Sequence, residues 1–308
     1  MKRKLTAILF VLLFLPIPGC FYVKPLEPVT MIVGTWYGFY PFYYAVEKGL
    51  DTKHGLKIKI LEPSNISNLR RSYLREQVDF AATSMIEFTN AVYLGGERIR
   101  PVIVTDYSAG GDVVVANRSI SSQRDLLDKR VAVPSNGIGE YVLSLLFDNT
   151  QPDTLITQIL IPETDCAQAF EQNLIDACVT YPPISTYLLE NPALHTVYSS
   201  SQHPGRIFDL VWSKPGVSKL TRDKMRTIWF ETIAEIERNP DAFHQFIATI
   251  ANVEKVTVEE AMNGISLVNE SEFKRLTSKS DQLEDDLVTV CKVAGNRDCE
   301  QFAEAFSW

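Results

Sequence analysis

Beyond its first few residues the chain carries no run of lysine or arginine, and its net charge is −8. Phosphate backbones are held by clustered positive charge, so nucleic acid is excluded as a partner. No CxxC pair and no HExxH occurs, and the four histidines, His54, His195, His203 and His244, lie far apart in sequence. The sequence therefore implies no metal and no cofactor. No internal repeat, low-complexity tract or long linker interrupts it, and no apolar run is long enough to span a bilayer as a helix. What remains is ordinary globular material: 308 residues, 45% hydrophobic and 22% charged, enough for one large domain or two smaller ones with real cores.

The start of the chain differs from the rest. "MKRKLTAILFVLLFLPIPGC" places Lys2, Arg3 and Lys4 before an apolar run from Leu5 to Leu15, followed by turn residues and Cys20. That layout is an export signal. "IPGC" resembles a bacterial lipobox, which implies removal of residues 1–19 and lipidation at Cys20; an uncleaved anchor and an ordinary signal are the alternatives. Loss of the three cations takes the charge from −8 to −11. The expected location is the periplasmic or cell-surface side, anchored to the bilayer by lipid. Four cysteines remain, Cys166, Cys178, Cys291 and Cys299, and an exported chain favours disulfides. Sequence proximity pairs Cys291 with Cys299 and Cys166 with Cys178.

From residue 29 to 206 strands and helices alternate. "VTMIVGT" reads as a strand and "PFYYAVEKGL" as a helix opened by Pro41 and closed near Gly49. "LKIKILEP", "VDFAAT" and "RPVIVTDYS" follow as strands, with helices over "SNISNLRRSYLREQ" and "IEFTNAVYLGG". The order predicts a mostly parallel sheet covered by helices. After "GGDVVVANRSI", read as an extended connection, the pattern restarts through "KRVAVPS", "GIGEYVLSLLFDN", "ITQILIP" and "IDACVTYPP". "RIFDLVWSKPG" returns as a second crossing. Beyond residue 220 the chain is helical with no strong strand; Met225, Ile228, Trp229, Ile233 and Ile236 keep helical spacing.

Two α/β units joined by two crossings form a hinge, and ligands of such sheets sit beyond the carboxyl ends of the strands. The chain then divides into a signal (1–19), a first lobe (20–112), a second lobe (113–206), and a return crossing with a helical tail on the first lobe (207–308).

The ordered set "WYG…P…AVEKGL", "KHGLKI", "QVDFA", "DYSAGGDVVVA", "LLDKRVAVP" and "NLIDACVTYPP" resembles the substrate-binding proteins of nitrate/sulfonate/taurine-type ABC importers, a group that includes aliphatic-sulfonate and thiamine-pyrimidine binders. The resemblance runs from about residue 29 to 213. It implies a type II periplasmic-binding-protein fold, capture of a small solute, and delivery to the membrane subunits of a permease.

Seven rings crowd "GTWYGFYPFYYAVEKGL" between Trp36 and Tyr44. Trp36, Tyr37 and Tyr40 fall in the loop after the first strand, where flat apolar faces would stack on a planar or cationic solute; covering the sheet edge is the alternative. Phe42 follows core spacing, and Tyr43 and Tyr44 fit either role. Ser84 follows the strand "VDFAAT". In "DYSAGGD", Ser108, Gly110 and Asp112 are expected at the cleft or the hinge. Ser135, Asn136 and Gly137 open a helix whose free N–H groups suit an anionic group or ordinary capping, and Glu140 one turn in opposes a strongly anionic ligand. Tyr181 of "TYPPI" would face Trp36 from the second lobe, and Asp209 lies in the return crossing. Thr164 and Asp165 are explained by capping alone.

Several acidic candidates beside aromatic rings favour a nitrogen-containing or heteroaromatic solute; only Arg206 is placed to hold an anion. A sensing lipoprotein that reports to a membrane receptor would use the same parts. An enzyme on this fold is the remaining alternative, but the cysteine cluster of yeast-type thiamine-pyrimidine synthases is missing, as is any Ser–His–Asp order.

Overall fold

The structure, a computed structural model, describes residues 25–63, 71–73, 75, 77–95, 99–134, 137–147, 155–278, 281–293 and 299. Cys20, Ser135, Asn136 and most of the helix expected over 64–77 lie outside the described residues.

The strands, in chain order, are β1 (Glu27–Val33), β2 (Leu56–Leu61), β3 (Phe80–Ser84), β4 (Arg100–Ser108), β5 (Val113–Asn117), β6 (Arg130–Val133), β7 (Thr157–Leu160), β8 (Ala177–Thr180), β9 (Leu194–Ser199), β10 (Phe208–Ser213) and β11 (Ile265–Leu267). They form two sheets, ordered β11-β4-β10-β3-β1-β2 and β7-β6-β8-β5-β9. The helices are α1 (Tyr40–Glu47), α2 (Leu50–Lys53), α3 (Met85–Gly95), α4 (Ile138–Leu146), α5 (Cys166–Glu171), α6 (Ile184–Leu189), α7 (Lys219–Arg238), α8 (Pro240–Ala251), α9 (Lys255–Met262), α10 (Glu270–Ser278) and α11 (Asp281–Val293).

β2 shows how local pattern becomes sheet position. In "LKIKIL" Leu56 and Ile58 are buried while Lys57 and Lys59 are exposed, so the strand sits at an edge with one wet face. β4 is buried along nearly its whole length, which places it between covering helices. Pairing is less parallel than the element order suggests. β1 runs parallel to β2 and β3, and β6 parallel to β7 and β8. The strands next to the crossings do otherwise: β10 enters antiparallel between β3 and β4, and β5 antiparallel between β8 and β9. A chain that leaves one lobe and returns from the other must re-enter its sheet from the opposite end. "DVVVAN" is accordingly a central strand, not a connection, and β11 adds a short antiparallel edge strand within the helical tail.

α1 carries Pro41 in its first turn, where no intrahelical N–H is needed, and the chain leaves it through Gly49 at φ 68°. Phe42 is fully buried against Trp229 of α7, ring centroids 4.8 Å apart. Met225, Ile228, Trp229, Ile233 and Ile236 form the buried stripe of α7. Each such side chain stabilises the lobe by about 1.5–3 kcal/mol. Ser218 caps α7 by accepting from Thr221 N, and Asn239 ends it and caps α8, where Pro240 is the first helical residue.

α11 reaches both lobes. It packs on α3 of the first and α4 of the second, and Leu283, Leu287 and Val290 join a core cluster with Phe88 and Tyr141. Two disulfides are present: Cys166–Cys178 ties the start of α5 to β8, and Cys291–Cys299 closes the end of α11. No helix among the described residues is long and apolar enough to cross a membrane.

Candidate functional site

β1 and β3 run parallel and end within two residues of each other, and the turns that follow them meet the second lobe across a cavity of about 90 Å³, room for several water molecules. Gly34, Thr35, Trp36 and Phe39 line it from the turn after β1. Ala82, Thr83, Ser84 and Glu87 come from β3 and α3, Asp112 and Asp209 from the two crossings, and Ile138 and Tyr181 from the second lobe. Among these lining residues there is no Lys, Arg or His.

Trp36 is the fixed wall. Its Nε1 donates to Asp106 Oδ1 at 2.8 Å, and its ring meets Tyr181 edge-on at 5.7 Å across the lobes. Two glycines make room for it. A Cβ at Gly111 would fall 2.4 Å from Trp36 Cη2, and one at Gly38 would fall 2.4 Å from Asp106 Oδ2. Tyr181 is held from its own side, its hydroxyl donating to Glu163 Oε1 at 2.8 Å. Burial and that neighbouring carboxylate push its phenol well above the ordinary range.

The carboxylates set the electrostatics. Asp106 and Asp209 are partners across the β4–β10 ladder and both are buried. Burial pushes Asp106 up to about 6, tempered by the Trp36 bond. Asp209 is pushed well up by burial, then by the charges of Asp106 and Asp112. Asp112 is pushed up to about 6 by burial, with Ser108 opposing the shift. Two adjacent buried carboxylates resist ionising together, which favours the singly protonated form of the Asp106–Asp209 pair.

The first crossing is fastened by polar contacts. Ser108 Oγ lies 2.8 Å from Ser200 Oγ and accepts from Asp112 N at 2.9 Å; Gly110 N donates to Ser200 Oγ at 2.8 Å. Gly264 O accepts from Ala109 N and Gly111 N. Gly110 holds φ 133°, a conformation that side chains resist.

The structure brings Trp36, Ser84, Asp112, Tyr181 and Asp209 around one cavity and places the other described candidates elsewhere. Ser108 and Gly110 belong to the hinge network. Gly137, at φ 88°, begins α4 against Ile86 of α3, where a Cβ would meet Ile86 Cγ2 at 2.6 Å. Tyr37 and Tyr40 do not line the cavity. A 3₁₀ turn over Tyr37–Phe39 swings Tyr37 into the core of the first lobe and Tyr40 onto a separate groove with Tyr43, Val46 and Phe246. Tyr44 is buried between Phe243 and Phe246. Arg206 pairs with the buried Asp286 at 2.7 Å and is absent from the cavity lining. Glu87 and Asp106 were not anticipated. An acidic residue in the first turn after a strand, and one inside an otherwise apolar strand, are the signals that would have marked them.

A cluster of Asp241, His244 and Glu259 has the spacing of metal ligands, but Lys255 Nζ already stands 2.9 Å from Asp241 and 2.8 Å from Glu259.

Two sheets joined at a double crossing, with a small cavity at their facing ends, define the fold of the periplasmic binding proteins. The chain belongs to the NMT1/THI5-like family, whose model matches residues 36–260. No curated protein matches it. Among solved structures it is similar to the alkanesulfonate-binding protein SsuA from Xanthomonas axonopodis pv. citri bound to MOPS, at 13% identity over 87% of this chain and 98% of that one, TM-score 0.67. The periplasmic aliphatic sulphonate binding protein SsuA from Escherichia coli matches at 15% identity over 85% and 94%, TM-score 0.63. The Candida albicans CA3427 gene product, described as having the generic periplasmic binding protein fold, matches at 14% identity over 90% and 94%, TM-score 0.65. At these identities the likeness is one of fold.

Proposed function

We propose that the protein is the solute-binding component of an ABC importer, lipid-anchored at Cys20 on the outer side of the membrane, and that it captures a small nitrogen-containing or heteroaromatic solute between its lobes. It binds and releases this solute without turning it over. The observation that carries the reading is the cavity itself: Trp36 and Tyr181 face each other from opposite lobes, and the charged groups beside them are Asp112, Asp209 and Glu87. Rings from two lobes that close together suit a planar solute, and carboxylates suit its N–H groups. The sulfonate binders named above share the fold, but a sulfonate here would meet three acidic side chains and no cation. Family membership and the paired lobes support solute capture; the lining supports the nitrogen-rich class.

Thermal shift of the chain from Cys20 onward tests the reading, with aminopyrimidines, heteroaromatic amines, alkanesulfonates and nitrate as the panel. Stabilisation by the nitrogen heterocycles is expected. Stabilisation by alkanesulfonates alone would overturn the preferred class, and labelling of the membrane fraction with a radioactive fatty acid checks the anchor.

A further inference from the structure

The cavity is acidic wherever it is charged, and the acids continue behind its wall. Asp112 and Asp209 line it at 6% and 8% exposure, Glu87 lines it from α3, and Asp106 stands behind Asp209 with no exposure at all. Asp106 Oδ1 is taken by Trp36. Its Oδ2 is buried with no hydrogen-bond partner among the described residues. The carboxyl of Asp209 stands beside it on the neighbouring strand, and one of the two can donate to the other only while it carries a proton.

We propose that the solute enters this cleft as a cation and that its arrival expels the proton shared by Asp106 and Asp209, so that binding is an exchange of one positive charge for another. The proposal rests on the cleft being the solute site. The balance is simple. A solute cation and a singly protonated acid pair become a bound cation, two carboxylates and one proton released to solvent; no covalent bond to the solute changes.

The surroundings of the pair allow this exchange and little else. From the first crossing it faces Asp112; α3 contributes Glu87 to the same cavity. From the second lobe Tyr181, whose hydroxyl is held by Glu163, and Tyr198, whose hydroxyl is held by His203, stand near Asp112. No lysine or arginine stands among these groups. A second negative charge on the pair is therefore uncompensated until a cation arrives, and a cation held in the cavity that Trp36 and Tyr181 line supplies the missing charge. An anionic solute would drive the pair the other way, toward taking up a second proton.

Titration calorimetry on the mature chain distinguishes the cases. The probes are benzamidinium, 4-aminopyridinium and guanidinium as cations, benzamide as the neutral shape match for the first, and ethanesulfonate as the anion. Each is run near neutral pH in phosphate, cacodylate and Tris, whose ionisation heats differ, so the slope of observed heat counts protons. At least one cation should bind, with benzamide roughly tenfold or more weaker than benzamidinium and about one proton released per site. Affinity should then rise up to about tenfold per pH unit while the pair remains protonated. Asp209→Asn should abolish the release; if it does not fold, the buffer series on the unaltered chain still decides.

Cation binding without proton release overturns the exchange, as does failure of all three cations. Ethanesulfonate binding alone overturns it too, yet leaves solute capture standing. Should no probe quench Trp36 fluorescence, and should mass spectrometry find no solute carried through purification, the reading of the cleft fails along with it.

Discussion

The indole N–H of Trp36 donates to the Asp106 carboxylate at 2.8 Å, joining the loop that lines the cavity to a strand 70 positions later in sequence. The bond fixes the ring plane, and it is the one amide or indole donor that the buried Asp106 side chain receives in Oδ1. Trp36→Phe keeps an aromatic face and removes the donor. The expected cost is about 1–3 kcal/mol of folding stability, the range for a buried charged group that loses its partner. Urea unfolding above and below pH 6 checks it: the cost should be larger above, where Asp106 is more often ionised. An equal cost at both ends would mean that the bond does not serve the charge.

Asp112 gives a cleaner pH signature. Burial pushes its carboxyl up to about 6 from an ordinary 3.8. The folded chain thus binds this proton more tightly than the unfolded chain does. The resulting stabilisation is fully present below about pH 4 and is lost as pH rises through about 6. Asp112→Asn removes the titration, so its unfolding free energy should fall less between those limits. The difference should be on the order of 2 kcal/mol. Parallel stability curves for the two chains would contradict this.

Some of this architecture could be read in advance, and the reasons are local. The apolar alternation of "LKIKIL", the proline and glycine that bracket α1, and the stripe on α7 are each decided within a few residues. Trp36 and Tyr181 stand just past the ends of strands and Ser84 is the last residue of one, where chain order alone puts them near a cleft. Tyr37 and Tyr40 could not be separated from Trp36 in this way. Which rings line the cavity depends on the 3₁₀ turn, and that turn is set by packing of Tyr37 and Phe39 in the core of the first lobe. Asp106 was hidden because its role comes from a pairing with β10, over 100 positions away in sequence. β11 is three residues long, too short for any periodicity to show.

The hinge network yields a test of the crossing. Ser200 Oγ meets both Ser108 Oγ and Gly110 N, so Ser200→Ala leaves a buried hydroxyl and a backbone N–H short of a partner. A loss of about 1–3 kcal/mol is expected. Hydrogen exchange should quicken at Gly110 and Asp112 before it does at β4. Uniform acceleration across both lobes would assign Ser200 to global stability instead.

The disulfide between Cys166 and Cys178 closes a short loop, with a sequence separation of 12, inside the second lobe. Converting both cysteines to alanine should lower stability by about 2–4 kcal/mol, mainly through the freer unfolded chain. Solute affinity should change little, since neither sulfur lines the cavity. Peptide mapping without reductant checks the pairing itself, and fragments joining Cys166 to Cys291 or Cys299 would refute it.

Gly111 is the position where a single methyl group should separate binding from folding. Its added Cβ would lie 2.4 Å from Trp36 Cη2 and 3.2 Å from Gly264 O, a clash that one side must relieve. The Gly264 carbonyl is fixed by accepting from two backbone amides of the crossing, whereas Trp36 borders open cavity and can swing into it. Gly111→Ala should therefore fold, shift the tryptophan emission, and weaken solute binding by tenfold or more, about 1.4 kcal/mol. Gly205→Ala is the control. It stands at φ 77° with nothing within 4 Å of its Cβ, so it should cost about 1 kcal/mol of stability through backbone strain and leave affinity intact. If Gly111→Ala binds as well as the unaltered chain, Trp36 is not the wall against which the solute rests.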